Sequence, residues 1–327
     1  MKRFSRLFFC LVLIYVSCFL PRPSHGALVT GVASNFFQPA ISNDTDMITV
    51  YRSPNVAKHG WNAGFYLDTA HNPLQVRNPS VGVQVTPVDH TVVGNFYGTY
   101  GVTSWMSVGL NIPIFFYNSV NPIFTYGNPA NFMDPSFTVY DPQTNLGDIR
   151  FETKFRVTYN TGDLFGFALV PFITMPSGPS KVFAGNGSVT GGLKVVVDFN
   201  IHERIKLALN FAYLGRDQVV LGDATVDDQL LVSLGLSLKL LERLQLIVEG
   251  QMDPVLTDFF ASQVQVPAEV RGAIRGRITK NFHVHAGGGG EVSNGFNSAD
   301  WRAFLGLNYH WAPEPCPACE APSLNRN

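Results

Sequence analysis

Twelve segments of this chain alternate apolar and polar residues with a period of two, and the links joining them alternate short and long. The stretch "LGDIRFETKFRVTYNTGD", residues 146–163, shows the unit. Ile149, Phe151, Phe155 and Val157 are apolar, while Arg150, Glu152, Lys154 and Arg156 between them are all charged. Successive side chains of a strand point to opposite faces. The stretch therefore reads as a strand with one greasy face, where Thr153 is the polar residue, and one fully charged face. A soluble sheet could use a single strand of this kind with its charges in water, so the argument rests on repetition.

The pattern returns along the chain. Leu230, Val232, Leu234, Leu236, Leu238 and Leu240 share a face opposite Ser233, Gly235, Ser237 and Lys239. So many leucines also suit a buried helix, but the unbroken period of two favours a strand. Leu244, Leu246, Val248 and Met252 oppose Gln245, Glu249, Gln251 and Asp253. Val270, Ile274 and Ile278 oppose Glu269, Arg271, Arg275 and Arg277. Trp301, Leu305, Leu307, Tyr309 and Trp311 oppose Arg302, Asn308 and His310. The twelve segments lie near 61–70, 88–101, 104–117, 146–160, 163–176, 188–200, 204–215, 228–241, 243–253, 267–280, 282–292 and 299–311. Most exceed the five or six residues common in soluble strands and suit the 9–11 of a tilted membrane strand.

Short links are expected at 102–103, 161–162, 201–203, 242 and 281, and long ones at 71–87, 118–145, 177–187, 216–227, 254–266 and 293–298. Strict alternation follows if every short turn lies at one rim and every long loop at the other, as in outer-membrane barrels with short periplasmic turns and longer extracellular loops. The fold class expected is all-β: a transmembrane antiparallel up-and-down β-barrel of about twelve strands. An even strand number puts both ends of the barrel on the periplasmic side. In lipid every backbone polar group must be satisfied internally, which a closed barrel achieves without edges. The apolar face then meets lipid and the charged face a lumen, because a charge facing lipid near the midplane costs ~2–4 kcal/mol. Aromatic residues near strand ends, Trp61, Tyr100, Trp105, Tyr159, Phe282, Trp301, Tyr309 and Trp311, suit the interfacial girdles. A soluble periplasmic two-sheet protein is the competing architecture, and twelve exposed apolar faces argue against it.

Basic Lys2, Arg3 and Arg6, an apolar run from Leu7 to Leu20, and small Ser24 and Gly26 before Ala27 have the anatomy of a secretory signal peptide. Cleavage after Gly26 is expected, since the apolar run is shorter than the ~20 residues of a spanning helix. Cys18 lacks the leucine three residues ahead that a lipoprotein cysteine has. Loss of residues 1–26 removes four of the 23 basic residues and none of the 24 acidic ones, leaving a net charge of −5. That excludes nucleic acid as a partner. The domains are then a signal peptide (1–26), a periplasmic N-terminal segment or plug (27–60), the barrel (61–311) and a Pro- and Cys-containing tail (312–327). Cys316 and Cys319 in that tail form no disulfide framework. Their CxxC spacing lacks the second pair of a zinc site and the histidine of haem attachment, so a Pro-rich linker with a local disulfide is the simpler reading.

Several stretches, "LGDIRFETKFRV", "ALVPFITMPSG", "PAEVRGAIRGRITKNFHVHAGGGGEVSNG" and "DWRAFLGLNY", resemble the barrels of OmpA-family outer-membrane proteins of the larger delta-proteobacterial type. The resemblance spans about 60–311. It implies an outer-membrane protein embedded in lipid and lipopolysaccharide, with a structural or surface-interaction role open to it. The family often adds a peptidoglycan-binding domain, and here only sixteen residues follow Trp311. Gly306, Tyr309 and Trp311 in "GLNYHW" resemble the terminal-strand signal read by the outer-membrane assembly machinery, although they do not end the chain.

The candidate pore-lining residues are Arg150, Glu152, Lys154, Arg156, Lys239, Glu249, Glu269, Arg271, Arg275, Arg277 and Arg302. Rings of charge tune selectivity in channels, whereas a salt-bridged fill would close the barrel. Both readings stay open at twelve strands, between filled small barrels and open porins. A narrow passive pore for small solutes is the expected function, and a barrel of little conductance is the alternative. His283, His285 and Glu291 share a face, with His310 next to them. Ordinary polar lumen residues account for them, and no catalytic motif, metal site or cofactor is expected. Asp223, Asp227, Asp228 and Asp258 read as solvated loop charge rather than a divalent-cation site.

Overall fold

The computed structural model describes residues 31–42, 45–78, 83–120, 144–158, 164–221, 224–257 and 263–313. Residues 1–26, expected as a signal peptide, Tyr159, and Cys316 and Cys319 lie outside them. Twelve long strands form the wall: β1 (Trp61–Asn78), β2 (Val83–Gly101), β3 (Met106–Val120), β4 (Ile149–Arg156), β5 (Phe165–Met175), β6 (Thr190–His202), β7 (Ile205–Gly215), β8 (Gln229–Leu241), β9 (Leu244–Met252), β10 (Ala268–Arg277), β11 (Phe282–Glu291) and β12 (Trp301–Trp311). Each pairs antiparallel with its sequence neighbours. The sheet closes where β1 meets β12, in register from Trp61 opposite Trp311 to His71 opposite Trp301. It is the all-β barrel that the alternation requires.

Two faces separate cleanly. Phe151, Ile274 and Leu305 are 46%, 50% and 60% exposed, so the outer surface is an apolar band. At the short-turn end Trp61 packs on Tyr309 with ring centroids 5.3 Å apart, and Trp105 stacks on Phe155. At the long-loop end His71, His90, Tyr117 and Trp301 form a second aromatic cluster. Along β1, Trp61 and His71 are ten steps apart, ~33 Å of strand, which a tilt of about 40° projects to ~25 Å. That is the height of the apolar band of a membrane barrel.

The first long link differs from its expectation. β1 runs to Asn78 and β2 starts at Val83, so four residues join them rather than the 71–87 loop. Register shifts between His71 and Leu74 and between Leu74 and Val76 twist this hairpin where it leaves the band. Leu74, Val76 and Val88 then bury against Val32 and Phe296 at the loop end. Apolar residues that would be misplaced in a solvated loop are used there to cover the mouth.

The barrel is not empty. Residues 31–60 enter at the loop rim, where Ser34 N–H donates to the Phe183 carbonyl at 2.9 Å. They descend until the Ile41 carbonyl accepts from Asn62 of β1 and Thr99 of β2. They turn back at 42–50, tied by Ala40 N–H to the Ile48 carbonyl at 2.9 Å. They leave at the short-turn rim, where His59 N–H meets the Gly101 carbonyl. Phe37, Ile41, Met47, Ile48, Val50 and Tyr51 are all at most 2% exposed. They pack on Tyr66, Tyr97, Ala168, Val170, Val196, Ala208, Ile247, Ala273 and Phe304 of the inner wall. The wall makes room with glycine: a Cβ on Gly109 would lie 1.9 Å from Ile41 Cδ1, and one on Gly235 2.5 Å from Met47 Sδ.

Candidate functional site: the filled lumen

Part of the charged rows holds this N-terminal segment. Glu249 of β9 is the clearest case. Its carboxylate accepts from the backbone N–H groups of Ile48 (2.7 Å), Thr49 (3.0 Å) and Val50 (3.3 Å), and from the Thr49 hydroxyl (2.6 Å). The buried carboxylate has four donors around it, and the turn that presents those donors is fixed in return. Asn210 of β7 acts like a piece of backbone: its amide oxygen accepts from Tyr51 N–H at 2.7 Å, and its NH2 donates to the Tyr51 carbonyl at 2.9 Å.

The opening motif finds its role here. Arg150 donates to Gln38 and to the Pro39 carbonyl, and its Nε lies 3.3 Å from Glu152. Glu152 accepts from the Tyr51 hydroxyl at 2.5 Å. Lys154 pairs with Asp46 at 2.7 Å. From β6, Asp198 takes Arg52 at 3.2 Å and Ser53 N–H at 2.8 Å. Arg275 donates to the Asp46 and Met47 carbonyls, both at 2.9 Å. Lys194 stands 3.7 Å over the Tyr51 ring, a cation–π contact in a buried place.

A second cluster sits in the wall itself. Arg302 of β12 binds Asp68 of β1 at 2.5 Å and Glu269 of β10 at 3.2 Å, and Glu269 also accepts from Ala299 N–H at 3.0 Å. Arg271 is 3.9 Å from Glu269. All four are at most 3% exposed. Such pairs hold because each charge has a partner; removing one partner leaves a buried charge uncompensated.

The remaining candidates lie at the short-turn rim. Lys239 pairs with exposed Glu242, Arg277 is exposed and donates to the Glu242 carbonyl, and Arg156 is half-buried. Gly306 faces inward under the Tyr66 ring, and Tyr309 and Trp311 face outward in the lower girdle. The histidines divide: His285 bonds the Tyr66 hydroxyl, while His283 stacks on His310 at 5.3 Å. Glu291 is at the other end, with Ser298. Among the described residues no three His, Cys, Asp or Glu side chains gather as metal ligands. Asp228 accepts from Tyr213 and from Arg216 N–H, and Asp223 and Asp258 lie outside the described residues.

At the loop end a cavity of about 90 Å³ remains above the segment. Asp148, from the Leu-Gly-Asp motif, pins the loop beside it, accepting from Gly178 N–H at 3.0 Å and Asn186 N–H at 2.7 Å. Burial raises the Asp148 pKa and pushes that of Arg216 down to about 10.

Two solved structures share this architecture. An outer-membrane channel from Pseudomonas putida F1 superposes with a TM-score of 0.59 at 12% identity, covering 79% of this chain and 98% of the other. The NanC porin gives a TM-score of 0.51 at 8% identity, covering 76% and 98%. The fold is that of an outer-membrane channel. No family model and no curated protein matches the sequence. At such identities the likeness carries the barrel and not its cargo.

Sequence reasoning placed the charges inward but left residues 27–60 unassigned between plug and periplasmic segment. A signal was there. In "FGFALVPFITM" both faces of β5 are apolar, and inward Ala168, Val170 and Phe172 have no reason to face water. An apolar inner wall implies an apolar guest. The grip is testable at Glu249. In Glu249→Leu, three backbone donors lose their acceptor, at ~1–3 kcal/mol each. Hydrogen exchange at the Ile48, Thr49 and Val50 amides should quicken by at least about tenfold, with a smaller effect in Glu249→Gln.

Proposed function

We propose that this protein is a narrow passive pore for small solutes in the outer membrane, with residues 31–60 as a plug that sets its width. The observation that carries the reading is the way the lumen is filled. The filling is one segment of chain that folds back on itself, attached covalently to the wall at Trp61 and held elsewhere by hydrogen bonds, ion pairs and small-residue contacts. A barrel stabilised only as a shell could fill itself with wall side chains, as small barrels do. The channel fold and a polar cavity at the loop end support the same view. On this reading the short-turn rim faces the periplasm, lipopolysaccharide surrounds the loop end, and Gly306, Tyr309 and Trp311 present the last strand to the assembly machinery.

A second reading has its own support. Arg52–Asp198, Lys154–Asp46 and the Glu249 clamp bind the plug firmly. An OmpA-like structural barrel of little conductance would look like this. Single-channel recording of the refolded chain in a planar bilayer separates the two. Small, reproducible conductance steps are expected from the intact protein. A folded, heat-modifiable barrel that stays silent would leave the structural reading.

A further inference from the structure

We propose that the short-turn mouth of the lumen binds a small oxyanion of charge two, a phosphate or a dicarboxylate. The inference names a solute class for the pore and rests on that reading only for the solute's passage. It starts from an imbalance of charge. Among the described residues, the turns of the β6–β7, β8–β9 and β10–β11 hairpins carry exposed Arg204, Arg243 and Lys280 against Glu203 and Glu242. These turns stand side by side with the next strands: Lys239 N–H donates to the Arg204 carbonyl and Arg277 N–H to the Arg243 carbonyl, both at 2.8 Å.

The inner wall behind the turns is cationic and carries the excess into the lumen. Lys206 of β7 lies opposite Ser237 of β8, and Lys239 is two residues further along the same inward face. Diagonal neighbours of this kind stand about 7–8 Å apart. Gln245 of β9 separates Lys239 from Arg275 of β10, and Arg277 follows Arg275 with the same parity. The charges that act most on Lys206 are three cations, Arg52, Arg275 and Lys239, and one acid, Asp198. Asp198 is already held by Arg52 and by Ser53 N–H. Asp46, whose carbonyl accepts from Arg275, has its carboxylate on Lys154.

Lys206 is the centre of the site. It is half-buried and makes no ion pair among the described residues. A half-buried ammonium beside other cations opposes folding, as residues kept for binding often do. Its neighbours are weakly engaged and open to solvent. Lys239, its side chain 33% exposed, reaches Glu242, itself 75% exposed, at 2.8 Å, a surface pair of little strength. Arg277 is exposed and donates to the Glu242 carbonyl, a neutral acceptor that leaves its charge uncancelled. An anion of charge two set between Lys206 and Lys239 would neutralise both and replace Glu242 as the partner of Lys239. Phosphate and a dicarboxylate share that chemistry. Lys206 and Lys239 face the lumen, so headgroups of the surrounding lipid do not meet them.

The test is titration calorimetry on the refolded full-length mature chain in detergent, at fixed ionic strength. Inorganic phosphate and succinate are the probes, with acetate and choline as the monovalent and cationic controls. Saturable binding of phosphate or succinate is expected, at least about fivefold tighter than acetate. The tighter of the two tells a phosphate ligand from a dicarboxylate. Lys206→Met should weaken binding about tenfold. The same variant should raise the denaturant midpoint, which loss of a purely structural lysine would not do. Glu242→Gln, at an exposed turn, should tighten binding about threefold, because the anion no longer competes for Lys239. A folded barrel that binds neither dianion, or binds acetate equally well, overturns the proposal. Unchanged affinity in Lys206→Met does the same, as does unchanged affinity in Glu242→Gln should Lys206→Met fail to fold. Dianion binding by a barrel that never conducts would sink the pore and leave the site; conductance without dianion binding would do the reverse.

Discussion

A chain lacking residues 31–56 should still close its barrel and conduct about tenfold more current per channel than the intact protein, as expected when a filled lumen of this size is emptied. The wall ladder is independent of those residues, since all twelve pairings run between strands. What the deletion removes is the core cluster from Phe37 to Tyr51 and the partners of Glu249, Asp198 and Arg275. The exposed inner wall would then carry Arg150, Glu152, Lys154, Asp198, Glu249 and Arg275 into water, and the ion preference of the widened channel would respond to them. Arg275→Gln in the deletion background should move reversal potential toward cations. No gain in conductance would mean that the lumen collapses on itself, and that the plug is not what limits width.

The largest loss of stability is expected at Arg302. Arg302→Met keeps the bulk but leaves Asp68 and Glu269 buried without their main counter-charge. Removing one member of a buried ion cluster costs about 3–5 kcal/mol. The denaturant midpoint of unfolding in detergent should fall accordingly. The triple variant Asp68→Asn, Glu269→Gln, Arg302→Met should recover most of it, because neutral groups need no counter-charge. Failure of that rescue would show that Arg302 acts through packing, for instance against Phe37, whose ring lies 5.7 Å from its guanidinium.

How much of this was legible in advance depends on the range of the physics involved. Strand period is local, and it located β7 at 204–215 against Ile205–Gly215 and β11 at 282–292 against Phe282–Glu291. Link lengths are local too, and their alternation supplied the two rims. The β1–β2 arms were missed because their alternation breaks at the shifts near Leu74. The apolar inner face of β5 signalled a guest in the lumen, but its contacts were not legible, since Glu249 and Thr49, or Asp198 and Arg52, are far apart in sequence. The inward direction of Arg150, Glu152 and Lys154 could be read from parity alone. That they would meet Gln38, Tyr51 and Asp46 could not.

The path of residues 31–60 also governs how the molecule can be made. Val32 rests at the loop rim and Trp61 begins at the opposite one, and Phe37, Ile41, Met47, Ile48, Val50 and Tyr51 between them are buried inside the barrel. A closed ring cannot admit such a thread sideways. The segment must therefore either thread end-on through a rim or be wrapped by the sheet before β1 and β12 pair. The contacts that position the thread span 100–200 residues of chain, as from Tyr51 to Glu152 or Ile48 to Glu249. Contacts so distant in sequence form slowly. Refolding should then show a slow closing step that quickens when the thread is absent: the strap that narrows the finished channel is also what delays its completion.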